Sequence, residues 1–425
     1  MEAMAMPNVD ELMAKQRAYF ASGATQSYAF RAGALQRLKS ALQKWEPQLL
    51  QAMHQDLGKS ETEAYFSEIG FCYQEIGHTL KHLRRWLKPE RQGTPLMLFG
   101  SRSYIYRVPR GQVLILSPWN YPLQMPIAPL IGAIAAGNVA VIKPSEFAPA
   151  TGAVVRQLLA ETFRPEHVTV VEGGPAVSQA LLARRWDYIF FTGSTAVGRI
   201  VAKAAAEHLT PVTLELGGKS PAIIDASADL KVAARRIAWG KWTNVGQTCV
   251  APDYLLVEER AWPALREELK GALASFFGPD PQQSPDLGRI VSERHVDRLA
   301  QMITGDIVVG GQVDRAAKFI APTIIENVTL AHPTMGEEIF GPILPVLTWR
   351  KWEEALAVLK ALPNPLAFYV FTADDVTAER LIQTVPFGGG CVNDCLVHLG
   401  NMAIPFGGVG ESGMGGYHGV HSFET

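Results

Sequence analysis

The stretch Asn244-Val245-Gly246-Gln247-Thr248-Cys249-Val250-Ala251-Pro252 sets one cysteine between a glycine and a proline. That punctuation marks a turn, because neither a long helix nor a central strand tolerates it. A cysteine presented by a turn is open to substrate and reacts through its thiolate. The competing reading is a small buried hydrophobe, the commonest role of a free cysteine. Glu215 has the chemistry of a partner. It lies in Val212-Thr213-Leu214-Glu215-Leu216-Gly217-Gly218, where apolar neighbours favour the neutral acid and bring its pKa towards the range of a general base. A strand carboxylate facing solvent is the alternative. Asn120, between Trp119 and Tyr121-Pro122, offers a side-chain amide that could stabilise an oxyanion, or that could simply bond its own turn.

Two further groups have nucleotide-binding chemistry. Lys143 and Glu146 follow an apolar strand, where a ribose could meet both an ammonium and a carboxylate; a solvated loop pair fits equally. Thr192-Gly193-Ser194-Thr195-Ala196-Val197-Gly198 follows the apolar run Tyr188 to Phe191 and opens the helical run Arg199 to His208. Free backbone N–H groups at such a helix start can hold a pyrophosphate, although glycine also serves any tight strand-to-helix turn.

These residues need a scaffold, and the pattern supplies one. The first ninety residues read as helices, with Leu35, Leu38, Leu42 and Trp45, then Leu49, Met53 and Leu57 before Gly58, at helical spacing. Tyr104 to Val108 alternates as a strand. From Gly111 short apolar strands alternate with helices: Val113 to Leu116, Val139 to Ile142, Val168 to Val171 and Tyr188 to Phe191. The segments between them are long enough for crossover helices, which predicts an open, doubly wound parallel sheet. Ligands bind such sheets beyond the C-terminal strand ends, which is where Asn120, Lys143 and Ser194 fall. A second α/β region is expected from near Leu214, with strands Ala222 to Ile224, Tyr254 to Val257, Ile343 to Leu347 and Leu366 to Phe371, and a helix from Trp262 to Phe276.

Composition narrows the function classes. The 425 residues are 48% hydrophobic and 19% charged with a formal net charge of −2, so no nucleic-acid or membrane-surface footprint is present. Gln112 to Ile142 lacks any charge, yet Pro118, Pro122, Pro126 and Pro129 argue against a spanning helix and for strand, loop, short helix and strand. No secretory h-region is seen between Met1 and Phe20. The four cysteines make neither a CxxC pair nor a zinc-type spacing, so no metal is expected and a reduced, cytoplasmic protein is inferred. Three motif matches fail on context. Gly408 to Gly413 fits GxGxxG without the required strand and helix, Gly217-Gly218-Lys219-Ser220 lacks the first P-loop glycine because Thr213 stands there, and Asn327-Val328-Thr329 is a sequon without a secretory setting.

Together, Ser117-Pro-Trp-Asn-Tyr-Pro122, Lys143-Pro-Ser-Glu146, Phe191-Thr-Gly-Ser194, Leu214-Glu-Leu-Gly-Gly-Lys219, Gly246-Gln-Thr-Cys249, Glu337-Glu-Ile-Phe-Gly-Pro342 and Pro405-Phe-Gly-Gly408 resemble the aldehyde dehydrogenase superfamily, in family order over nearly the whole chain. Asn120-Tyr121, Pro365-Leu-Ala-Phe-Tyr369 and Gly413-Met-Gly-Gly-Tyr-His418 resemble its class 3 branch of fatty, aromatic and benzaldehyde-type enzymes, typically dimers. The resemblance implies two Rossmann-like doubly wound domains plus a small β bridging element. Residues 1–213 would bind NAD or NADP, with a hairpin around 100–110 extending to oligomerisation. Residues 214–395 would be catalytic, and 396–425 would bridge.

By the same resemblance Cys249 is the nucleophile and Glu215 activates water, while Asn120 and the Cys249 N–H form the oxyanion hole. Lys143 and Glu146 would contact the adenosine ribose, and Gly193, Ser194 and Val197 the pyrophosphate or adenine. Glu338 would hold the nicotinamide ribose with Phe340 packed beside it, and Trp119 and Tyr121 would line the aldehyde pocket. The expected reaction oxidises a medium-chain or aromatic aldehyde to its acid through a thiohemiacetal and a thioester. Glu146 leans towards NAD, since a carboxylate accepts from a free 2′-hydroxyl and repels a 2′-phosphate. The rivals are a thiol esterase or acyltransferase using the same Cys249 and Glu215, against which the nucleotide segments argue, and a CoA-acylating dehydrogenase, which as the family reads lacks the Glu215 carboxylate. Relatives run on past the segment matching Ser422 to Thr425, with a tail that serves dimer contacts, the substrate entrance and, in fatty-aldehyde enzymes, a membrane anchor.

Overall fold

The computed structural model describes residues 8–425, so the first seven residues of the expected cofactor domain lie outside the described residues. Helices Val9–Ala21, Tyr28–Leu57 and Gly70–Trp86 open the chain. The 30-residue second helix ends at Gly58, whose φ of 64° is the left-handed cap that glycine adopts without a Cβ penalty. Its buried Leu35, Leu38, Leu42, Leu49 and Met53 share one core with the first sheet, but the helix packs chiefly on helices Pro149–Thr162, Gly70–Trp86 and Gln124–Ala136 rather than directly on the strands as expected.

The first sheet has six strands in the order Gly413–Met414, Val212–Glu215, Tyr188–Thr192, Gln112–Leu116, Val139–Lys143 and Val168–Val170. All pairings are parallel except that of Gly413–Met414. Gln112–Leu116 is central and buried throughout; Val113 and Ile115 face one layer of the core, Leu114 and Leu116 the other. Chain order reverses between this strand and Tyr188–Thr192, which opens a crevice at their C-terminal ends. The second sheet has seven strands, ordered Asp306–Val309, Thr323–Glu326, Ile343–Trp349, Tyr254–Glu258, Pro221–Ile224, Ala367–Phe371 and Gly389–Val392. Only Asp306–Val309 runs antiparallel to its neighbour.

Three details differ from the sequence reading. Val212–Glu215 pairs with Tyr188–Thr192, so the first sheet runs two residues past the boundary expected between 213 and 214. Helix Gln124–Ala136 accommodates both Pro126 and Pro129. Pro126 sits in the first turn, where its missing N–H would be unbonded anyway, and complete burial of the helix holds Pro129 in place. The antiparallel ribbon pairs Glu90–Gln92 with Ser103–Ile105 and so starts earlier than the hairpin expected around 100–110. Among the described residues no helix is long and apolar enough to cross a membrane.

Leu114 is fully buried in the central strand. Leu114→Ala should therefore lower unfolding stability by about 2–5 kcal/mol, read as a shifted urea midpoint, with activity per folded molecule retained.

Candidate active site

The nucleophile turn is built from backbone that side chains resist. Asn244, Val245 and Gly246 have φ of 52°, 58° and 73°, three successive left-handed residues just ahead of Cys249. Each non-glycine residue there costs about 1–2 kcal/mol. A Cβ on Gly246 would stand 2.2 Å from the Gly341 carbonyl oxygen, so only glycine fits. Surrounding bonds hold the turn. Asn244 N–H donates to the Glu63 carboxylate, and its Nδ2 donates to the carbonyls of Asn120 at 2.8 Å and Gln247 at 3.1 Å. The Gln247 amide donates to Asn244 O and Arg289 O and accepts from Val291 N, which satisfies it on both sides. Tyr121 Oη lies 2.6 Å from Thr248 Oγ1, and Tyr369 Oη donates to Val250 O at 2.6 Å. Cys249 is thus clamped through both chain neighbours.

The Cys249 thiol faces a cleft of about 610 Å³ at the switch point of the first sheet. Eight expected site residues line it: Trp119, Asn120, Gly193, Ser194, Glu215, Cys249, Glu338 and Phe340. Burial pushes the thiol pKa up, and the Glu338 and Glu215 charges add to this, against the pull of the Cys249 and Val250 N–H groups. Asn120 is buried, with its Nδ2 donating to Gln247 O at 3.0 Å. One N–H thus fixes the amide while the second is left for a ligand. Glu215 ends strand Val212–Glu215, in register with Thr192 on one side and Gly413 on the other. Among the described residues neither of its oxygens has a partner, and burial holds its pKa well above the usual carboxylate range.

Glu338 sits across the cleft. Its pKa is pushed up to about 8, chiefly by burial and secondarily by Asp253, against the Gly218 N–H, Lys219 and Arg298. A Cβ on Gly217 would lie 1.9 Å from Glu338 Oε2, so glycine gives the carboxylate its place. Behind it Lys219 donates to Asp253 and to the carbonyls of Thr334 and Glu337, while Asp253 Oδ1 accepts from Ile339 N. This buried pair pins the loop that carries Glu338. Phe340 is itself left-handed, at φ 51°, and meets Trp119 edge-on at 5.3 Å; Trp119 also packs against His295.

The residues expected to hold the nucleotide follow the C-terminal ends of two strands of the first sheet, Val139–Lys143 and Tyr188–Thr192. Ser194 caps helix Thr195–Ala206 by accepting from Val197 N, which leaves the first N–H groups free for an anion; the Val197 side chain is exposed. Lys143 ends a buried strand and donates to Glu146 Oε2 at 2.6 Å. Lys143, Glu146, Val197 and Tyr121 stand off the cleft wall, and Tyr121 is turned into the core by its bond to Thr248. A helix-end anion site, an ammonium–carboxylate pair and an acidic group resting on glycine together fit a dinucleotide.

The sequence profile of the aldehyde dehydrogenase family matches residues 1–425. The chain belongs to the aldehyde dehydrogenase family. It is 47% identical over 420 residues to the 4,4′-diaponeurosporen-aldehyde dehydrogenase of Staphylococcus aureus (strain NCTC 8325 / PS 47), covering 98% of this chain and 92% of that one. It is 46% identical to aldehyde dehydrogenase family 3 member H1 of Arabidopsis thaliana, over 97% and 87% of the two chains. The solved substrate-bound state of Staphylococcus aureus AldH superposes with a TM-score of 0.97 at 46% identity, covering 99% of this chain and 92% of that one. This aldehyde dehydrogenase therefore oxidises aldehydes, and the family's cofactor is NAD or NADP.

Sequence reasoning missed Lys59, Glu63 and Glu68, which touch the site's backbone from the N-terminal helices. A signal was present: Glu68 and Glu75 share the helical spacing of Cys72, Thr79 and Leu83, which places both carboxylates on the buried face.

The raised pKa of Glu338 gives a pH prediction. In the ribose-holding role that the resemblance implies for Glu338, the neutral acid offers the hydroxyls fewer acceptor sites than the carboxylate, so cofactor affinity should tighten as pH rises through about 8. Fluorescence titration of NAD between pH 6.5 and 9 should show that trend in the parent enzyme and lose it in Glu338→Gln.

Proposed function

We propose that Cys249, Glu215 and Asn120 carry the reaction, and that the substrate is a medium-chain aliphatic or aromatic aldehyde. The observation that carries this reading is their convergence on one cleft that also holds Ser194 and Glu338. The Cys249 thiolate adds to the aldehyde carbon, and the resulting oxyanion is held by the free Asn120 N–H and the Cys249 backbone N–H. NAD or NADP, when bound, supplies the acceptor for the hydride that this thiohemiacetal loses. The product is a thioester on Cys249. Glu215, in its apolar seat, then takes a proton from water as the water attacks the thioester, releasing the acid and the thiol. Lys143 and Glu146 hold the adenosine ribose, Gly193, Ser194 and Val197 flank the pyrophosphate, and Glu338 with Phe340 seats the nicotinamide end. Trp119 borders the aldehyde.

The Glu146 carboxylate favours NAD over NADP. A homodimer is supported by the loop of the Glu90–Ile105 ribbon, where Leu96, Met97 and Phe99 are 86, 96 and 91% exposed. Four free cysteines support a reducing, cytoplasmic setting.

Absorbance at 340 nm with benzaldehyde and with hexanal, each with NAD and NADP, tests the substrate and cofactor readings. A higher kcat/KM with NAD is expected; equal efficiencies would overturn the preference. Cys249→Ala should abolish turnover. Glu215→Gln should give one burst of reduced cofactor and then stall, and a normal steady state would remove Glu215 from its role. Met97→Asp with Phe99→Asp should turn a dimer into a monomer in sedimentation, leaving the 340 nm reaction measurable.

A further inference from the structure

Beneath the oxyanion loop lies an ion pair that takes no part in the chemistry above. Lys59 and Glu68 are both fully buried and meet at 2.6 Å, Nζ to Oε1. The other contacts of the pair converge on one short segment. Lys59 Nζ donates to the Asn120 carbonyl at 3.0 Å and lies 4.2 Å from the centre of the Tyr121 ring. Glu68 Oε2 accepts from Leu123 N at 2.8 Å and Gln124 N at 3.1 Å. One lysine and one carboxylate therefore grip residues 120–124 at both ends.

The local backbone is shaped for this grip. Glu68 lies in a π-helical turn, Tyr65–Ile69, between helices Glu61–Ala64 and Gly70–Trp86. Such turns are rare, and they displace a side chain from ordinary helical register. Here the turn carries the carboxylate that reaches two backbone N–H groups. Lys59 follows the left-handed cap Gly58, and its own carbonyl is engaged by His54 Nδ1 at 3.0 Å. Apolar residues would fill this volume without the cost of desolvating two charges. What an ion pair adds is direction, because its donor and acceptor atoms fix the backbone of the segment that holds Asn120.

We propose that Lys59 and Glu68 are positioning residues for the oxyanion hole. The pair sets the Asn120 backbone so that one amide N–H bonds Gln247 O and the other points at the oxygen of the aldehyde adduct. Asn244 Nδ2 shares the same Asn120 carbonyl, which ties this setting to the nucleophile turn. The inference rests on the role of Asn120 given above.

The test is a double-mutant cycle on the pre-steady-state rate of reduced-cofactor formation, with Asn120→Ala as one arm. The other arm is Lys59→Met with Glu68→Gln, which removes both charges and keeps an acceptor oxygen for Leu123 and Gln124. In the parent background the pair variant should slow the burst by about 10- to 100-fold, part of what losing a whole oxyanion donor costs. Its NAD affinity and the iodoacetamide alkylation rate of Cys249 should stay within about twofold of the parent, as expected for an effect confined to one coupled group. In the Asn120→Ala background the same change should cost less than about twofold, because the group being positioned is gone. Equal losses in both backgrounds, or slowed alkylation, would overturn the positioning role while leaving Asn120 in place. An Asn120→Ala enzyme with a parental burst would instead overturn the Asn120 reading itself. Glu68→Gln alone, which is isosteric, runs the same cycle if the double change does not fold; the same non-additivity is expected.

Discussion

Asn244, Val245 and Gly246 all adopt positive φ, and two of the three carry Cβ atoms that oppose it. A left-handed run of this length does not persist on its own; it is held because the surroundings over-determine it. Glu63 takes the Asn244 N–H, Gln247 is bonded on both faces, and Gly341 leaves room for nothing larger than Gly246. These contacts come from the N-terminal helices, the first sheet's crevice and the loop after Ile339. The strained turn thus requires the whole fold, and in return it projects Cys249 into the cleft beside Asn120 and Glu215.

Electrostatics around the thiol follow from the same packing. Glu215 and Glu338 are buried with raised pKa values, and the thiol is raised with them. Burial is the main cause for all three, and the Glu338 and Glu215 charges make ionisation of the thiol harder still. Two of the buried lysines are paired with buried acids: Lys219 faces Asp253 behind the Glu338 loop, and Lys59 faces Glu68 behind Asn120. Both ion pairs organise backbone, and neither lies against the reacting thiol.

Much of this arrangement was legible in the sequence. Strand cores such as Val113 to Leu116 and Tyr188 to Phe191 appear where short apolar runs alternate with helical spacing, and Gly58 closes its helix as expected. Site residues that follow strands were also visible, since the crevice of a doubly wound sheet lies at those ends. The rest was hidden for physical reasons. Lys59 has a side chain that usually faces water, and only its tertiary partners make burial tolerable. The membership of strand Val212–Glu215 in the first sheet was hard to place because strand pairing, unlike strand formation, is a long-range property. Pro129 reads as a helix breaker until a fully buried environment supports it.

Two phenols flank the nucleophile. Tyr121, from the crevice of the first sheet, reaches Thr248, and Tyr369, from strand Ala367–Phe371 of the second sheet, reaches Val250. Hydrogen bonds of 2.6 Å lengthen by only a few tenths of an ångström before they weaken. Cys249 is thereby stretched like a string between two pegs, one on each half of the molecule. Jaw-like opening of the halves would twist the cysteine peptide before it widened the cleft. The two bonds tie the place of Cys249 to both sheets at once.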